Sequence, residues 1–570
     1  MPIKIPSSGP SNAEIMIVGE APGSEEERQG QPFVGPSGSE LNRMLHEAGI
    51  SRSQCFITNV CQERPYNNDI GLYIAKSKKE ITKDHIQYRD KWVKRPILEG
   101  IEMLKREIEL VNPGIIIALG NVSMWALTGK WGIMKWRGSM LHTDGGIRLT
   151  PTYHPALILR QWEFRAIAVH DLKRASEYRN KPFPQTAWRF RVRPSFSETM
   201  AVLERLEGLA ERKAAESASA ASRDVEPSER EAASEEEKKR EEGLELSFDI
   251  ETRAGHIACI GLAHNYQDAI CIPFMCVENL EGYWSLDDEA AIVFRLYRLL
   301  THPGVVVVGQ YLHYDCQYTY RHWHFVPRRV RDTIIQQHVA FAGLPKKLDF
   351  QASMYCDQYV YWKDDSKEWD KHLGESQLWT YNCEDCVRTL EVSHKEQAIL
   401  AKLQLEGVNA FQQEMFWPVL QAMQWGVRID KAVRGEMGLD LFEEMTKRER
   451  YFKDVLGHPL NPRSSKQMLT LFYDDLKLPV QRQRGKGTPT LNEEALVRLA
   501  SREPLIRPLV KKIMEYRSLG VFLGTFVKAP LDVDDRMRCS YNISGTYTYR
   551  LSSSKNAFGG GANQIGRAHV

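Results

Sequence analysis

Asp249 and Glu251 stand two residues apart in LELSFDIETR (residues 244–253). Alternation along that run puts both acids on one face with Ser247, while Leu246 and Phe248 take the other. An extended chain rises about 3.3 Å per residue, so the carboxylates sit roughly 6.6 Å apart. At an effective dielectric of about 20 their repulsion is on the order of 2.5 kcal/mol. Two more acids lie in comparable settings. Asp315 follows the apolar run VVVVG in a segment that starts a helix, and Asp385 lies in ESQLWTYNCEDCVRTLEV, four residues after Tyr381 and on the same helical face. Four acids with an adjacent tyrosine are the donor set that two Mg²⁺ or Mn²⁺ ions require. Hard cations take oxygen ligands, clamp a scissile phosphate and offset the repulsion.

A second group of residues stands where a further site is expected. Glu20, Asn59 and His154 each stand just past an apolar run, in AEIMIVGEAPG, CFITNVC and LTPTYHP, and Phe33 is the aromatic of GQPFVG. In open α/β sheets, reactive groups gather at the carboxyl ends of strands.

The elements that must position these groups follow from the surrounding pattern. Residues 1–190 alternate buried strands with amphipathic helices such as SGSELNRMLHEAGI, which predicts a mostly parallel, covered sheet. Residues 211–242 contain 18 charged residues, 11 acidic and 7 basic, with no aromatic, and read as a solvated linker. Beyond residue 400, EMFWPVLQAMQWGVRID and LIRPLVKKIMEYRSLGVFLGTF read as helices separated by basic loops. Residues 431–555 carry 23 Lys and Arg against 15 Asp and Glu, the footprint of a nucleic-acid partner. The expected boundaries are 1–190, a charged linker over 191–243, 244–400 and 401–570, giving an α/β multidomain chain.

Composition limits the alternatives. At 570 residues, 42% hydrophobic and 26% charged, the chain suits about four soluble domains. It has no apolar run of the roughly 18 residues a membrane span needs, and MPIKIPSSGP is no signal peptide. Ten scattered cysteines fit a reducing cytoplasm. The one close pair, in CEDC (383–386), has no second pair near it to make a zinc site.

VGEAPGSEEERQGQPFVGPSGSELNRML, ITNV and PTYHPALILR resemble the motifs of family-four uracil-DNA glycosylases across nearly all of residues 1–190. The resemblance implies an α/β/α sandwich with four site residues. Glu20 positions water or offsets charge on the sugar, Phe33 stacks on flipped uracil, Asn59 reads its edge, and His154 hydrogen-bonds the departing base. HPALILRQW implies an apolar wedge, with Arg160 on the DNA backbone. Family-four enzymes hold an iron–sulfur cluster on four cysteines; this segment has only Cys55 and Cys61, so no cluster is expected.

Residues 244–400 resemble the tyrosine subclass of DEDD proofreading exonucleases, with an RNase H-like fold. FDIET matches the first motif, HYD the second and YNCED the third, and VRDTIIQQH around Asp332 matches a recurring helix. By that resemblance Asp249, Glu251, Asp315 and Asp385 hold two metals and Tyr381 orients the attacking water. One departure is Tyr311, where the family carries Asn. From about residue 401 the text resembles the start of family A DNA polymerases, whose thumb grips duplex DNA. The resemblance places Arg463, Ser464 and Lys466 of LNPRSSKQML, and Arg550 of GTYTYRLSSSKNAFGGGANQ, on DNA. Tyr549 replaces the usual Gly of that last motif.

The combination resembles bacteriophage replicative polymerases, which implies partners in single-stranded 3′ ends, primer–template duplex and replication accessory proteins, in the cytoplasm of a bacterial or infected cell. No Asp or Glu follows Asp535, and QIGRAHV (564–570) reads as translated sequencing adapter. The natural chain is therefore expected to continue past Asn563 into a palm with metal-binding acids, and this one is not expected to polymerise. Two other readings stay open: a DNA-binding module that senses uracil without excising it, and a free-standing exonuclease.

Overall fold

The runs IMIVG, CFITN and IIIAL become β1 (Ile15–Gly19), β2 (Cys55–Asn59) and β3 (Ile115–Leu119), buried along their whole length. With β4 (Leu141–His142) and β5 (Arg148–Thr152) they form a sheet of order β2-β1-β3-β5-β4, parallel except between β4 and β5. Strands this apolar need both faces covered, as expected of a parallel sheet. Cover comes from helices that include α1 (Pro36–Glu47), α2 (Asn121–Thr128) and α4 (Arg165–Tyr178). A short helical turn, α3 (Pro155–Ile158), precedes α4. Leu41, Met44 and Leu45 of α1, and Ile167, Ala168 and Leu172 of α4, enter one core with the strands. The structure, a computed structural model, describes residues 3–75, 77–179, 187–221, 243–279, 281–364, 375–483 and 487–559.

The acid-bearing run becomes β7 (Leu244–Arg253), which turns into the antiparallel β8 (His256–Ala263). With β6 (Arg189–Arg191), β9 (Asp268–Pro273), β10 (Val305–Gly309) and β11 (Val330–Asp332) they make a sheet of order β11-β10-β7-β8-β9-β6. The segment expected to be a charged linker, 191–243, departs from that reading over its first part. β6 pairs with β9, and α5 (Phe196–Ala221) lays Leu203, Leu206 and Ala210 into the core. Arg295 of α6 (Leu286–Leu300) ties that helix down, donating to Glu204 at 2.8 Å and Glu207 at 2.6 Å. Composition over 211–242 hid a helix whose start is readable. Ser195 and Glu198 form a reciprocal capping box, followed by apolar residues at helical spacing. Residues 222–242 lie outside the described residues.

By contacts the chain divides into two compact units, Met1–Leu312 with Phe325–Gln413, and His313–His324 with Glu414–Val570. The first holds both sheets together with α8 (Thr333–Ala340), α9 (Leu348–Tyr355) and α10 (Ser376–Leu403). The second holds α7 (His313–Trp323), α11 (Phe416–Trp425), α12 (Lys431–Leu456), α13 (Ser465–Leu469), α14 (Glu493–Arg502) and α15 (Arg507–Phe522). There the His313 ring stacks on Phe416 with centroids 4.0 Å apart. Phe452, Phe472, Leu496, Leu499 and Ile513 centre a core of their own. Among the described residues no helix is long and apolar enough to cross a membrane. None of the ten cysteines is in a disulfide; nine are buried and Cys276 is half-buried.

Candidate active sites

The first site forms at the carboxyl ends of β1, β2 and β5. Register pairs Gly19 with Asn59, and a Cβ on Gly19 would come within 2.3 Å of Asn59 Oδ1 and 2.5 Å of Phe33 Cζ. Two side chains therefore converge over a residue that has none. Asn59 Oδ1 is buried without a hydrogen-bond partner. Phe33, itself in the left-handed region at φ 54°, places its ring 5.8 Å from the His154 ring. Glu20 Oε1 accepts from the Val122 amide at 3.1 Å, at the start of α2. It passes so close to Gly120 (φ 95°) that a Cβ there would meet it at 2.4 Å. Glu20, Phe33, Asn59 and His154 are thus gathered around one point. Arg160 lies outside it, exposed after α3, its Nε donating to the Ala156 carbonyl at 3.1 Å.

His154 caps α3. Its Nδ1 accepts from the Ala156 amide at 3.2 Å, which leaves the proton of the neutral ring on Nε2. Burial holds its pKa below the ordinary value, against the opposing pull of the Glu20 charge. Glu26, which the sequence reading missed, accepts from the amides of Gly23 and Gly35, both at 3.1 Å, and so staples the loop carrying Phe33. The two cysteines do not fit an iron–sulfur cluster. Each donates to a backbone carbonyl at 3.3 Å, and burial pushes their thiols up to about 11 for Cys55 and about 12 for Cys61.

The second site lies on β7 and α10. Asp249, Glu251 and Asp385 each place a carboxylate oxygen within 4.8 Å of the others. That group does not include Asp315, which lies in the first turn of α7 and is 4% exposed. Asn382 donates to Asp249 at 2.8 Å. Burial, then the charge of Asp385, push Asp249 up to about 7, and burial with both neighbours raises Glu251 further above its usual range. Three hard oxygen donors, two of them with ionisation resisted by burial and neighbouring charge, are a fit for a divalent cation, which reverses that resistance.

Two residues of this site were absent from the sequence reading. Trp362 Nε1 donates to Asp385 Oδ1 at 2.6 Å. Lys363 Nζ donates to the Tyr381 hydroxyl at 2.9 Å and pairs with Asp385 Oδ2. Neither belongs to a periodic element, so no pattern in YVYWKDD points to them.

The residues expected to meet DNA lie at or near the surface of the thumb-like segment. Arg463 and Lys466 are exposed beside Ser464, which caps α13 through the Gln467 amide at 3.4 Å. Arg550 is exposed, in a turn closed by Thr546, whose hydroxyl donates to the Arg550 carbonyl at 2.8 Å.

Residues 6–173 match the uracil DNA glycosylase superfamily, 225–401 a 3′-5′ exonuclease family and 432–558 DNA polymerase family A. A type-4 uracil-DNA glycosylase of Thermotoga maritima is 33% identical over 177 residues, covering 30% of this chain and 81% of that protein. A DNA polymerase of Bacillus phage SP01 is 22% identical over 624 residues, covering 97% of this chain and 63% of the relative. DNA polymerase I of Pseudomonas aeruginosa is 27% identical over 340 residues, covering 56% of this chain and 36% of the relative. The three matched segments follow one another along this chain, and the exonuclease centre is of a kind that depends on divalent metal.

Proposed function

The chain belongs, through residues 6–173, to the uracil DNA glycosylase superfamily, and from that premise we propose a DNA replication and repair enzyme with two separate hydrolytic centres. One trims 3′ ends with divalent metal; the other releases uracil without it. The observation that carries the first is the convergence of Asp249, Glu251 and Asp385 on one point. These acids, with Asp315 assigned by the motif resemblance, hold two Mg²⁺ or Mn²⁺ ions, which supply charge neutralisation and a water of lowered pKa. Tyr381 orients the attacking water from its place beside Asp385. Single-stranded 3′ ends are the substrate. Primer–template duplex is gripped through the basic segment that carries Arg463, Ser464, Lys466 and Arg550, in the cytoplasm of a bacterial or phage-infected cell.

In the glycosylase centre Phe33 supplies the face on which a flipped base stacks. The unpartnered Asn59 Oδ1 is an acceptor suited to the uracil N3–H, which cytosine lacks. Glu20 offsets positive charge on the sugar as the bond breaks, and His154 Nε2–H donates to the departing anion.

The test uses one protein and two assays. Asp249→Ala with Glu251→Ala should abolish Mg²⁺-dependent 3′→5′ digestion of single-stranded DNA while leaving the thermal midpoint unchanged or slightly raised, because a repulsive pair is removed. Retained digestion at the wild-type rate would overturn the metal assignment. Uracil release should continue in EDTA. Tight binding of uracil-containing oligonucleotide without alkali-labile sites would make the domain a sensor instead.

A further inference from the structure

The two catalytic segments of the first unit share one strap of chain, residues 353–364. Arg137, 2% exposed, pairs with Asp171 inside the glycosylase-like domain and extends Nη1 to Ser353 Oγ at 2.6 Å. Arg174 of α4 donates to the Ser353 carbonyl at 2.6 Å and to the Cys356 carbonyl. The grip continues along the strap. The Met140 amide donates to the Tyr359 carbonyl at 2.8 Å, and the Tyr361 amide to Ser139 Oγ at 3.1 Å. The next two residues are Trp362 and Lys363, which reach Asp385 and Tyr381 in the exonuclease centre.

We propose that the glycosylase-like domain is a positioning element of the exonuclease centre, with Arg137, Ser139 and Arg174 acting through the strap to set where Lys363 holds the Tyr381 hydroxyl against Asp385. This rests on the exonuclease reading above. The physical basis is reach and register. Charge-assisted bonds from two buried guanidiniums fix the strap's start, and backbone bonds at Tyr359 and Tyr361 fix its end, one residue short of the groups it delivers. Lys363 bridges a metal-binding carboxylate and the tyrosine assigned to orient water, so a slip of the strap moves both relative to the scissile phosphate. Misplacement by about 1 Å is enough to cost up to a hundredfold in rate.

The test uses the full chain and compares Arg174→Ala, Ser139→Ala, Lys363→Met and the double variant Arg174→Ala/Lys363→Met. In Mg²⁺-dependent digestion of a single-stranded oligonucleotide, Arg174→Ala and Lys363→Met should each lower kcat about tenfold with KM within about twofold. The double variant should be no slower than the slower single, because both changes act through one ammonium. Ser139→Ala should give a smaller loss of the same kind and faster hydrogen exchange at the Tyr361 amide. It removes a single bond, and so keeps the test decidable if Arg174→Ala does not fold. Additive losses, a wild-type kcat in Arg174→Ala, or a wild-type kcat in Ser139→Ala despite faster Tyr361 exchange would each overturn the proposal. A wild-type chain without nuclease activity would overturn the exonuclease reading and this proposal together. An active chain indifferent to the clamp variants would overturn only the proposal.

Discussion

His154 shows how one side chain's surroundings select its chemistry. An imidazolium would present a proton on Nδ1 to the Ala156 amide that now donates there, and would lie buried beside Phe33. Both effects favour the neutral ring, which can still donate from Nε2. The sign of the linkage follows. The folded pKa is depressed, so the residue's contribution to stability is complete above the ordinary value of 6.5 and is lost as pH falls below it. Uracil release should accordingly stay level as pH drops through 6.5 and decline only below it, which a rate profile between pH 4.5 and 8 in EDTA would show. Losing a well-placed donor to a developing anion costs roughly 2.7–4 kcal/mol, so His154→Ala should slow release by about 100- to 1000-fold. Asn59→Ala should instead erode the preference for uracil over cytosine.

At the scale of elements, the corner between β10 and the residues that follow it is held by Asp332 at the start of α8. Its carboxylate accepts from the amides of Tyr311 at 2.9 Å, Leu312 at 2.8 Å and Ile334 at 3.0 Å. Tyr311 sits at φ 63°, in the left-handed region that Asn tolerates and a bulky side chain does not. The Asn expected from the exonuclease motif is therefore the residue this backbone suits. Tyr549, in place of an expected Gly, sits at φ 58° and shows the same relation. Asp332→Ala would remove the acceptor of three amides, at about 1–3 kcal/mol for the buried Leu312 bond and less for the two half-buried ones, and should lower the thermal midpoint by several degrees. Burial pushes this carboxyl up to about 6, so its protonation is easier in the folded chain. The resulting stabilisation is full below the ordinary value of 3.8 and is lost as pH rises through about 6. Scanning calorimetry of wild type and Asp332→Asn across pH 4–7 should show the gap closing or reversing at the upper end, where the amide carries no charge to bury.

Legibility in the sequence divides along the same physical line. β7, the start of α7 and the Tyr381–Asp385 face of α10 were readable because periods of 2 and 3.6 residues mark them. Glu20, Asn59 and His154 stood out in the sequence because each lies at or just past the end of an apolar strand, whereas Phe33 sits in a loop. Glu26, Trp362 and Lys363 were not, since each acts through loop backbone or across sequence separations that no period encodes. β6 was missed because three residues paired at a sheet edge carry almost no pattern.

For the whole molecule, basic charge is concentrated in the segment that follows residue 430. The basic run 431–555 puts Arg463 and Lys466 at the surface, and in the DNA-gripping role proposed above each neutralises a phosphate. Removing both should weaken duplex binding equally for all sequences. The slope of log affinity against log salt should become shallower by about two, measurable by titration between 50 and 200 mM salt. An unchanged slope would place the duplex elsewhere. The cysteines carry a different consequence. Cys55 and Cys61 lie in the core of the first sheet, Cys259, Cys271, Cys383 and Cys386 share one apolar cluster beside the second, and Cys539 is buried in the second unit. A thiol reagent reaches such groups only when the surrounding structure opens, so each reacts at the rate its own region breathes. The chain thus carries a set of chemical clocks spread over its buried regions, with half-buried Cys276 as the fast reference hand.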